Sequence, residues 1–157
     1  MSFSGSGNVS FAPGTYIING TDANGKSFDY TGSGNLTGTG VTFFITGQGG
    51  YSAGPINIAA SGNTFSAPSS GSYQGLLFYQ DPGVSYATAN NYSGSGNTTG
   101  SLYFKTTTLD YSGSGNALSQ ALVASKIVFT GSGNFTQDTT GTLTGINKST
   151  TSVSLVQ

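Results

Sequence analysis

Short runs of apolar and β-branched residues alternate with runs of Gly, Ser and Asn along the whole chain. Four of the apolar runs are residues 41–46, 75–79, 101–104 and 126–130. Their length and their content of Val, Ile, Phe and Tyr predict β-strands. Only residues 117–124 have a helix-compatible composition, and we predict strand or turn there because the segment lies between two closely spaced copies of a repeated turn.

That turn occurs six times, most often as Ser-Gly-Ser-Gly-Asn. A Gly precedes the Asn in every copy, and an aromatic or aliphatic residue lies five positions before it. The intervals between successive Asn residues are 27, 28, 34, 19 and 18. A minimal period near 18 suits one coil of a solenoid with three short strands. The Asn residues that end the copies are Asn8, Asn35, Asn63, Asn97, Asn116 and Asn134.

Adjacent coils of a solenoid lie about 4.8 Å apart, so equivalent residues stack on one another. The repeated Gly supplies a positive φ or a close backbone approach, and the Asn hydrogen-bonds to its stacked neighbour. The repeat therefore predicts an all-β fold, a right-handed parallel β-helix (β-solenoid) with an internal ladder of the six Asn side chains. We predict a single domain over residues 1–157, with loops projecting at 47–55, 68–73 and 82–91.

Two columns of equivalent residues are candidate ligand-facing positions. Tyr30, Tyr92 and Tyr111 lie five residues before the Asn and form a strip for stacking on sugar rings, with an interior aromatic stack as the simpler alternative. Asp29 and Asp110 lie six residues before it, separated by two further coils. Their expected separation of roughly 15 Å is too long for a catalytic pair of carboxylates.

The composition restricts the chemistry further, because the chain has no Glu, Arg, His, Cys or Trp. Without His, Cys or Glu, general acid-base catalysis has few candidates, of which Asp81 and Asp110 are the acids for a polysaccharide lyase or hydrolase. A net charge of −1 offers no basic patch for nucleic acid. We predict no cofactor and no metal site. We also predict no membrane insertion, since no window of the sequence approaches the roughly 20 apolar residues that a membrane span needs.

Five segments resemble, in the same order, the solenoid-like region of the TadG-like proteins of Tad/Flp pilus assembly. They read APGTYIING, GTGVTFFITG, SAPSSGSYQGLLFYQDP, TTGSLYFKTTTLDYSGSGN and ALVASKIVFTGSGNF, and they cover about residues 11–135. Members of that family carry an N-terminal membrane helix, which this sequence lacks, and commonly have Pro where this chain has Lys105. The resemblance implies an extracytoplasmic, structural or adhesive role and supplies no catalytic residues.

These observations predict a non-catalytic structural or adhesive protein of the bacterial cell surface or extracellular space, whose export signal is not present in the sequence. Solenoid ends with unpaired strand edges also predict head-to-tail association into a fibre, since the closing residues 151–156 show no charged or helical cap. The alternative is a carbohydrate-binding module. An ice-binding face, suggested by Thr-rich residues 106–108 and 139–142, is a weaker alternative because Thr does not recur at one offset from the Asn.

Overall fold

The computed structural model describes residues 1–59, 61–119 and 121–138, and this part of the chain contains β-strands and no helix. No segment of it therefore forms a helix long and apolar enough to cross a membrane. The predicted domain extends beyond it, because residues 139–157 lie outside the described part. The strands are β1 (Ser2–Phe3), β2 (Val9–Phe11), β3 (Gly14–Asn19), β4 (Phe28–Tyr30), β5 (Leu36–Thr39), β6 (Val41–Thr46), β7 (Ile56–Ile58), β8 (Thr64–Ser66), β9 (Leu76–Gln80), β10 (Asn90–Tyr92), β11 (Thr98–Thr99), β12 (Ser101–Tyr111), β13 (Asn116–Ser119), β14 (Leu122–Phe129) and β15 (Asn134–Gln137).

The described strands pair in parallel and form three stacks, to which successive coils add a strand or part of a strand. Stack 1 contains β1, β4, β7, β10 and the C-terminal parts of β12 and β14. Stack 2 contains β2, β5, β8, β11, β13 and β15. Stack 3 contains β3, β6, β9 and the N-terminal parts of β12 and β14. The prediction of an all-β, parallel, solenoid-like fold is confirmed.

The long strand β12 explains why the repeat interval shortens along the chain. In the earlier coils, loops at residues 20–27, 47–55 and 81–89 connect stack 3 to stack 1. In β12 the chain passes from stack 3 into stack 1 within one strand, whose pairing with β14 shifts register between Phe104 and Thr108. The helix-compatible residues 117–124 fall in β13 and β14, apart from the connection between them, so inter-coil pairing overrides helical propensity there.

The interior is filled by columns of apolar side chains that run along the solenoid. The residues five positions before the repeated Asn are in register from coil to coil in stack 1. The four in the middle of the stack are buried in the interior, namely Tyr30, Ile58, Tyr92 and Tyr111. Tyr92 and Tyr111 stack at 5.3 Å between ring centroids with an interplanar angle of 6°. In stack 3, Phe43 and Phe78 stack at 4.9 Å. Burial of these rings is the main source of stability in a chain without disulfides.

The Gly of the repeated turn is required chiefly by the closeness of the coils. A Cβ placed on Gly115 would lie 1.7 Å from the carbonyl oxygen of Gly96 in the preceding coil. Among the six repeated Gly residues, only Gly62 has a positive φ, of 78°. Close approach of two backbones, rather than turn geometry, therefore explains most of the conservation of Gly within the repeat.

The six Asn residues do not form the predicted internal ladder. Val9 pairs with Leu36 and Thr37 pairs with Thr64, so Asn63 is displaced by one residue from the register of Asn8 and Asn35. A second one-residue slip places Asn97 level with Thr64. Side chains alternate between the two faces of a strand, so each slip reverses the direction of the Asn side chain. As a result Asn63 is buried and the other five Asn residues are exposed.

Three of the exposed Asn residues are linked on the outer surface of stack 2. Asn116 donates from Nδ2 to Asn97 Oδ1 at 3.2 Å, and Asn134 donates in the same way to Asn116 at 3.2 Å. Asn8 makes a different bond, accepting through Oδ1 from the backbone N–H of Asn35 at 2.9 Å. These side-chain hydrogen bonds are accessible to water, so they help to fix the register of neighbouring coils but add little to the free energy of unfolding.

We expect Gly115→Ala to destabilise the fold, because the added methyl group would force two coil backbones apart. The cost of such overpacking is about 1–3 kcal/mol or more. The matched control is Gly7→Ala, since nothing lies within 4 Å of a Cβ at Gly7. Urea unfolding followed by circular dichroism measures both variants, and equal midpoints for the two would contradict the close-approach explanation.

Candidate functional site

The predicted ligand-facing Tyr residues lie inside the solenoid. Tyr30 and Tyr92 are 1% exposed and Tyr111 is 3% exposed. Burial raises the pKa of both Tyr92 and Tyr111, which is expected of phenols removed from water. The prediction of an exposed Tyr strip is therefore corrected, and the interior aromatic stack is what the structure has at these positions.

A different set of aromatic residues faces outward, on stack 3. Phe44 pairs with Tyr79, and Tyr79 pairs with Tyr103, so the three rings lie on successive coils. Ile17 precedes Phe44 in the same register, and Val123 follows Tyr103. Ile17 is 70% exposed and the other four side chains are half-buried. We call these five residues the aromatic ladder, and over four strand spacings it extends for about 19 Å.

The rings of the ladder are stacked with a stagger. Phe44 and Tyr79 have centroids 5.1 Å apart at an interplanar angle of 23°, and Tyr79 and Tyr103 are 5.0 Å apart at 14°. Stacked rings touch at about 3.5–4.0 Å, so nearly parallel rings with centroids 5.0 Å apart must be offset sideways. Each ring therefore covers only part of its neighbour and leaves part of its own face available to a partner.

Hydrogen-bonding groups lie beside the aromatic ladder. Asn19 and Thr46 are in register two residues beyond Ile17 and Phe44, and Thr46 Oγ1 donates to Asp81 Oδ2 at 3.1 Å. The exposed Lys105 follows Tyr103 by two residues, and alternation along the strand places it on the same face. Thr46 is buried, so the ladder is an apolar strip bordered by the Asn19 amide, the Asp81 carboxylate and the Lys105 amine.

Burial raises the pKa of Tyr79, and the nearby Tyr103, Asp81 and Tyr73 raise it further by electrostatic repulsion of the phenolate. The phenol of Tyr79 is therefore a neutral hydrogen-bond donor across the physiological range.

A network of polar side chains anchors the loop 81–89 beside the ladder. Gln80 donates from Nε2 to the Val84 carbonyl at 2.6 Å, and its Oε1 accepts from Thr107. Asn90 donates to Thr107 Oγ1 at 2.9 Å and accepts from the Tyr86 hydroxyl at 2.8 Å. Because Gln80, Asn90 and Thr107 are buried, losing any partner would leave a buried polar group unpaired. This network fixes the position of Asp81.

The equivalence of Asp29 and Asp110 is confirmed, since the register runs from Asp29 through Asn57 and Asn91 to Asp110. Three strand spacings separate the two carboxylates, or about 14 Å, as expected from the sequence. Asp29 is only 4% exposed, which corrects its assignment as a ligand-facing residue. Asp110 is half-buried, and its Oδ1 makes no hydrogen bond within the described part of the chain.

Hydroxyl groups line up on the outside of stack 2, although their offsets from the repeated Asn differ. Ser10, Thr37 and Thr64 are in register on three successive coils. This column cannot be recognised from the spacing of the repeat, because Thr37 lies two residues after the repeated Asn of its coil and Thr64 lies only one residue after it. From the fourth coil onward Asn97, Asn116 and Asn134 occupy the column, so the hydroxyl array required for ice binding is short.

Sequence reasoning based on the repeated turn missed the aromatic ladder, because loops of different lengths separate its residues from the Asn. A different signal was present. Three strands contain two adjacent aromatic residues, Phe43-Phe44, Phe78-Tyr79 and Tyr103-Phe104. Since successive side chains of a strand face opposite sides, one ring of each pair must point outward.

Comparison of the chain with protein-family models, with curated proteins and with solved structures found no match.

We expect stability to fall between pH 10 and about pH 12, in part because of Tyr86. Burial raises the pKa of Tyr86 to about 12, against an ordinary value near 10 in the unfolded chain. The contribution of Tyr86 to the free energy of unfolding is complete below pH 10 and is lost as the pH rises to about 12, because the phenol ionises at a lower pH in the unfolded chain than in the folded one. Tyr86→Phe should show a smaller decline in unfolding free energy over this window, and an identical decline would contradict the assignment.

Proposed function

We propose that the chain is a non-catalytic structural or adhesive solenoid of the cell surface or extracellular space, and that the aromatic ladder is its adhesive surface. The observation that carries the proposal is the row of outward-facing rings on stack 3. Contiguous exposed apolar surface on a rigid scaffold is typical of an interaction site. The solenoid holds the rings at fixed intervals, so a partner meets a surface that needs no rearrangement.

The partner that suits this surface is a glycan, which makes the chain a carbohydrate-binding adhesin. Tyr and Phe rings contact the apolar faces of sugars, while phenol, amide and carboxylate groups hydrogen-bond to sugar hydroxyls. The ladder repeats at about 4.8 Å, so it presents similar groups at regular intervals to a polymer of repeated units. The net charge of −1 favours a neutral glycan over a polyanion.

The surface location and the bacterial, pilus-associated setting rest on the resemblance to TadG-like proteins. The segments that carry this resemblance include strands β3, β6, β9, β12 and β14, which form stack 3. A structural role outside the cytoplasm also agrees with a rigid stack of coils that presents one continuous face.

We further infer a right-handed winding. Parallel strands of one sheet are joined by right-handed connections in nearly all known cases, because the twist of the strands favours that hand. Asn97, Asn116 and Asn134 form a short external ladder that links the last three coils of the described part of the chain.

Head-to-tail association into a fibre is the second part of the proposal. Among the described residues, the outer edge of β3 pairs with no strand, and its N–H and C=O groups are available to a second copy. Tyr16 and Phe11, which pack at 5.1 Å, lie at this end of the interior. Residues 151–156, which the sequence suggested as the opposite uncapped end, lie outside the described residues.

Removing a ring of the ladder should weaken binding to polysaccharide. We expect Tyr79→Ala or Tyr103→Ala to reduce glycan affinity at least about tenfold, equivalent to roughly 1.4 kcal/mol, because each removes a central contact. Affinity electrophoresis against neutral polysaccharides, guided by a glycan array, measures the effect. Tyr51→Ala is the matched control, since Tyr51 is 63% exposed but lies in the loop between β6 and β7.

If the wild-type chain is retained on no polysaccharide, the hypothesis of glycan adhesion is refuted. Unfolding midpoints of the two ladder variants must be measured alongside, so that a loss of retention is not mistaken for a loss of fold.

A charge on the free edge should prevent fibre growth. We expect Ile17→Lys to shift the concentration at which the chain associates upward by at least about tenfold, because lysine on an edge strand opposes pairing with a second strand. Light scattering and sedimentation over a concentration series give the measurement. Leu118→Lys is the control, since Leu118 is exposed on stack 2 away from that edge. A wild-type chain that stays monomeric at high concentration would refute head-to-tail association.

A further inference from the structure

One carboxylate joins an amine and a carboxamide on adjacent coils. Lys26 Nζ lies 3.2 Å from both carboxylate oxygens of Asp29. Asn57 Nδ2 donates to Asp29 Oδ1 at 2.7 Å. The Asp29 side chain is 6% exposed and the Lys26 side chain 30% exposed, so the carboxylate is the more deeply buried member of the pair.

The carbonyl group of Asn57 is also held in place, by the next coil. Asn91 Nδ2 donates to Asn57 Oδ1 at 2.9 Å. A donor directed at a carbonyl oxygen draws electron density from the carbonyl carbon and stabilises the negative charge that develops when a nucleophile adds to it. The in-register pairing of Asp29, Asn57 and Asn91 fixes these bonds through the backbone. A simple ion pair between Lys26 and Asp29 would require neither Asn.

We propose that Lys26 and Asn57 react to form an intramolecular isopeptide bond. Asp29 takes a proton from the Lys26 ammonium group, and the neutral amine adds to Cγ of Asn57 while Asn91 holds the oxygen. The C–Nδ2 bond breaks after Asp29 has passed a proton to the departing nitrogen. Ammonia leaves and takes up the remaining proton as ammonium, and Asp29 is again a carboxylate. One amide replaces another, so neither an oxidant nor a cofactor is required.

Each residue has a role that its position supports. Lys26 is the nucleophile, Asn57 the electrophile and Asp29 the proton carrier, which is within hydrogen-bond reach of both reacting groups. The fold holds both reacting groups against the same Asp29 carboxylate, which replaces a collision by a unimolecular step. The product ties the segment before β4 to β7, and it would restrict the unfolded chain as a disulfide does in a protein that has no Cys. The reaction is independent of whether the aromatic ladder binds a glycan.

Mass spectrometry of the full chain tests the proposal directly. Trypsin cleaves after Lys, and the first two Lys residues are Lys26 and Lys105. A linked Lys26 resists cleavage, so we expect a peptide ending at Lys105 that retains residues 1–26 and is lighter by one ammonia. A second digestion between residues 26 and 57 should leave two peptides joined through the side chains of Lys26 and Asn57.

Four variants separate the roles. Lys26→Arg keeps the positive charge but removes the amine, and Asp29→Asn removes the proton carrier, so both should abolish the linked peptide. Asn91→Ala should slow its formation at least about tenfold, the lower end of the effect of losing an oxyanion donor. Asn57→Asp should still link, with the loss of water in place of ammonia. The matched control is Asp110→Asn, which makes the same chemical change two coils beyond Asn57 and should leave the linkage complete.

The proposal is overturned if Lys26 of the purified, aged wild-type chain is cleaved fully and the two peptides separate at their unmodified masses. A loss of ammonia confined to Asn24-Gly25 would also overturn it, because Asn before Gly cyclises to a succinimide with the same change in mass. The joined peptides distinguish the two reactions, since a succinimide links no second segment.

Discussion

Backbone hydrogen bonding between successive coils is the constraint on which the rest of this structure depends. Each strand pairs in parallel with the strand one coil earlier and one coil later, so the register chosen by one coil is imposed on the next. The repeated Gly residues permit this pairing, because a side chain at Gly96 or Gly115 would meet the backbone of the preceding coil. Register then decides which side chains lie inside and which lie outside.

The candidate ligand-facing and reactive groups of this chain lie in columns of residues rather than in a pocket. The aromatic ladder, the hydroxyl column of stack 2 and the polar column from Asp29 to Asp110 all arise from one coil repeating the geometry of another. A column brings groups together at a spacing of about 4.8 Å without any folded cavity. That spacing is close enough for ring stacking and for hydrogen bonds between amides, and it places Lys26, Asp29 and Asn57 in one cluster.

The sequence was sufficient to predict the parallel coils, because Gly and an apolar residue recur at fixed positions around each turn. It also predicted strand or turn over residues 117–124, and residues 117–119 and 122–124 are indeed strand. The direction of the Asn side chains could not be predicted, since the register slips at Asn63 and Asn97 depend on how each coil packs on the previous one. The Tyr column was correctly grouped, but only its burial shows that it lies inside.

The candidate site was harder to predict than the fold. Its residues come from strands separated by loops of unequal length, so no constant spacing connects Phe44, Tyr79 and Tyr103. The assignment to the cell surface and the likeness to TadG-like proteins stay predictions. What the structure adds is a particular surface on which the adhesive hypothesis can be examined residue by residue.

Strand β12 changes the circumference of the solenoid. Before it, each coil includes a loop between stack 3 and stack 1; in β12 and β14 that corner is absent and the two stacks merge. Within the described residues, the coils before β12 are therefore longer than the coils after it, so the two directions along the long axis differ. A filament assembled head to tail from such units would be polar along its whole length, with two chemically different tips and therefore two different rates of growth.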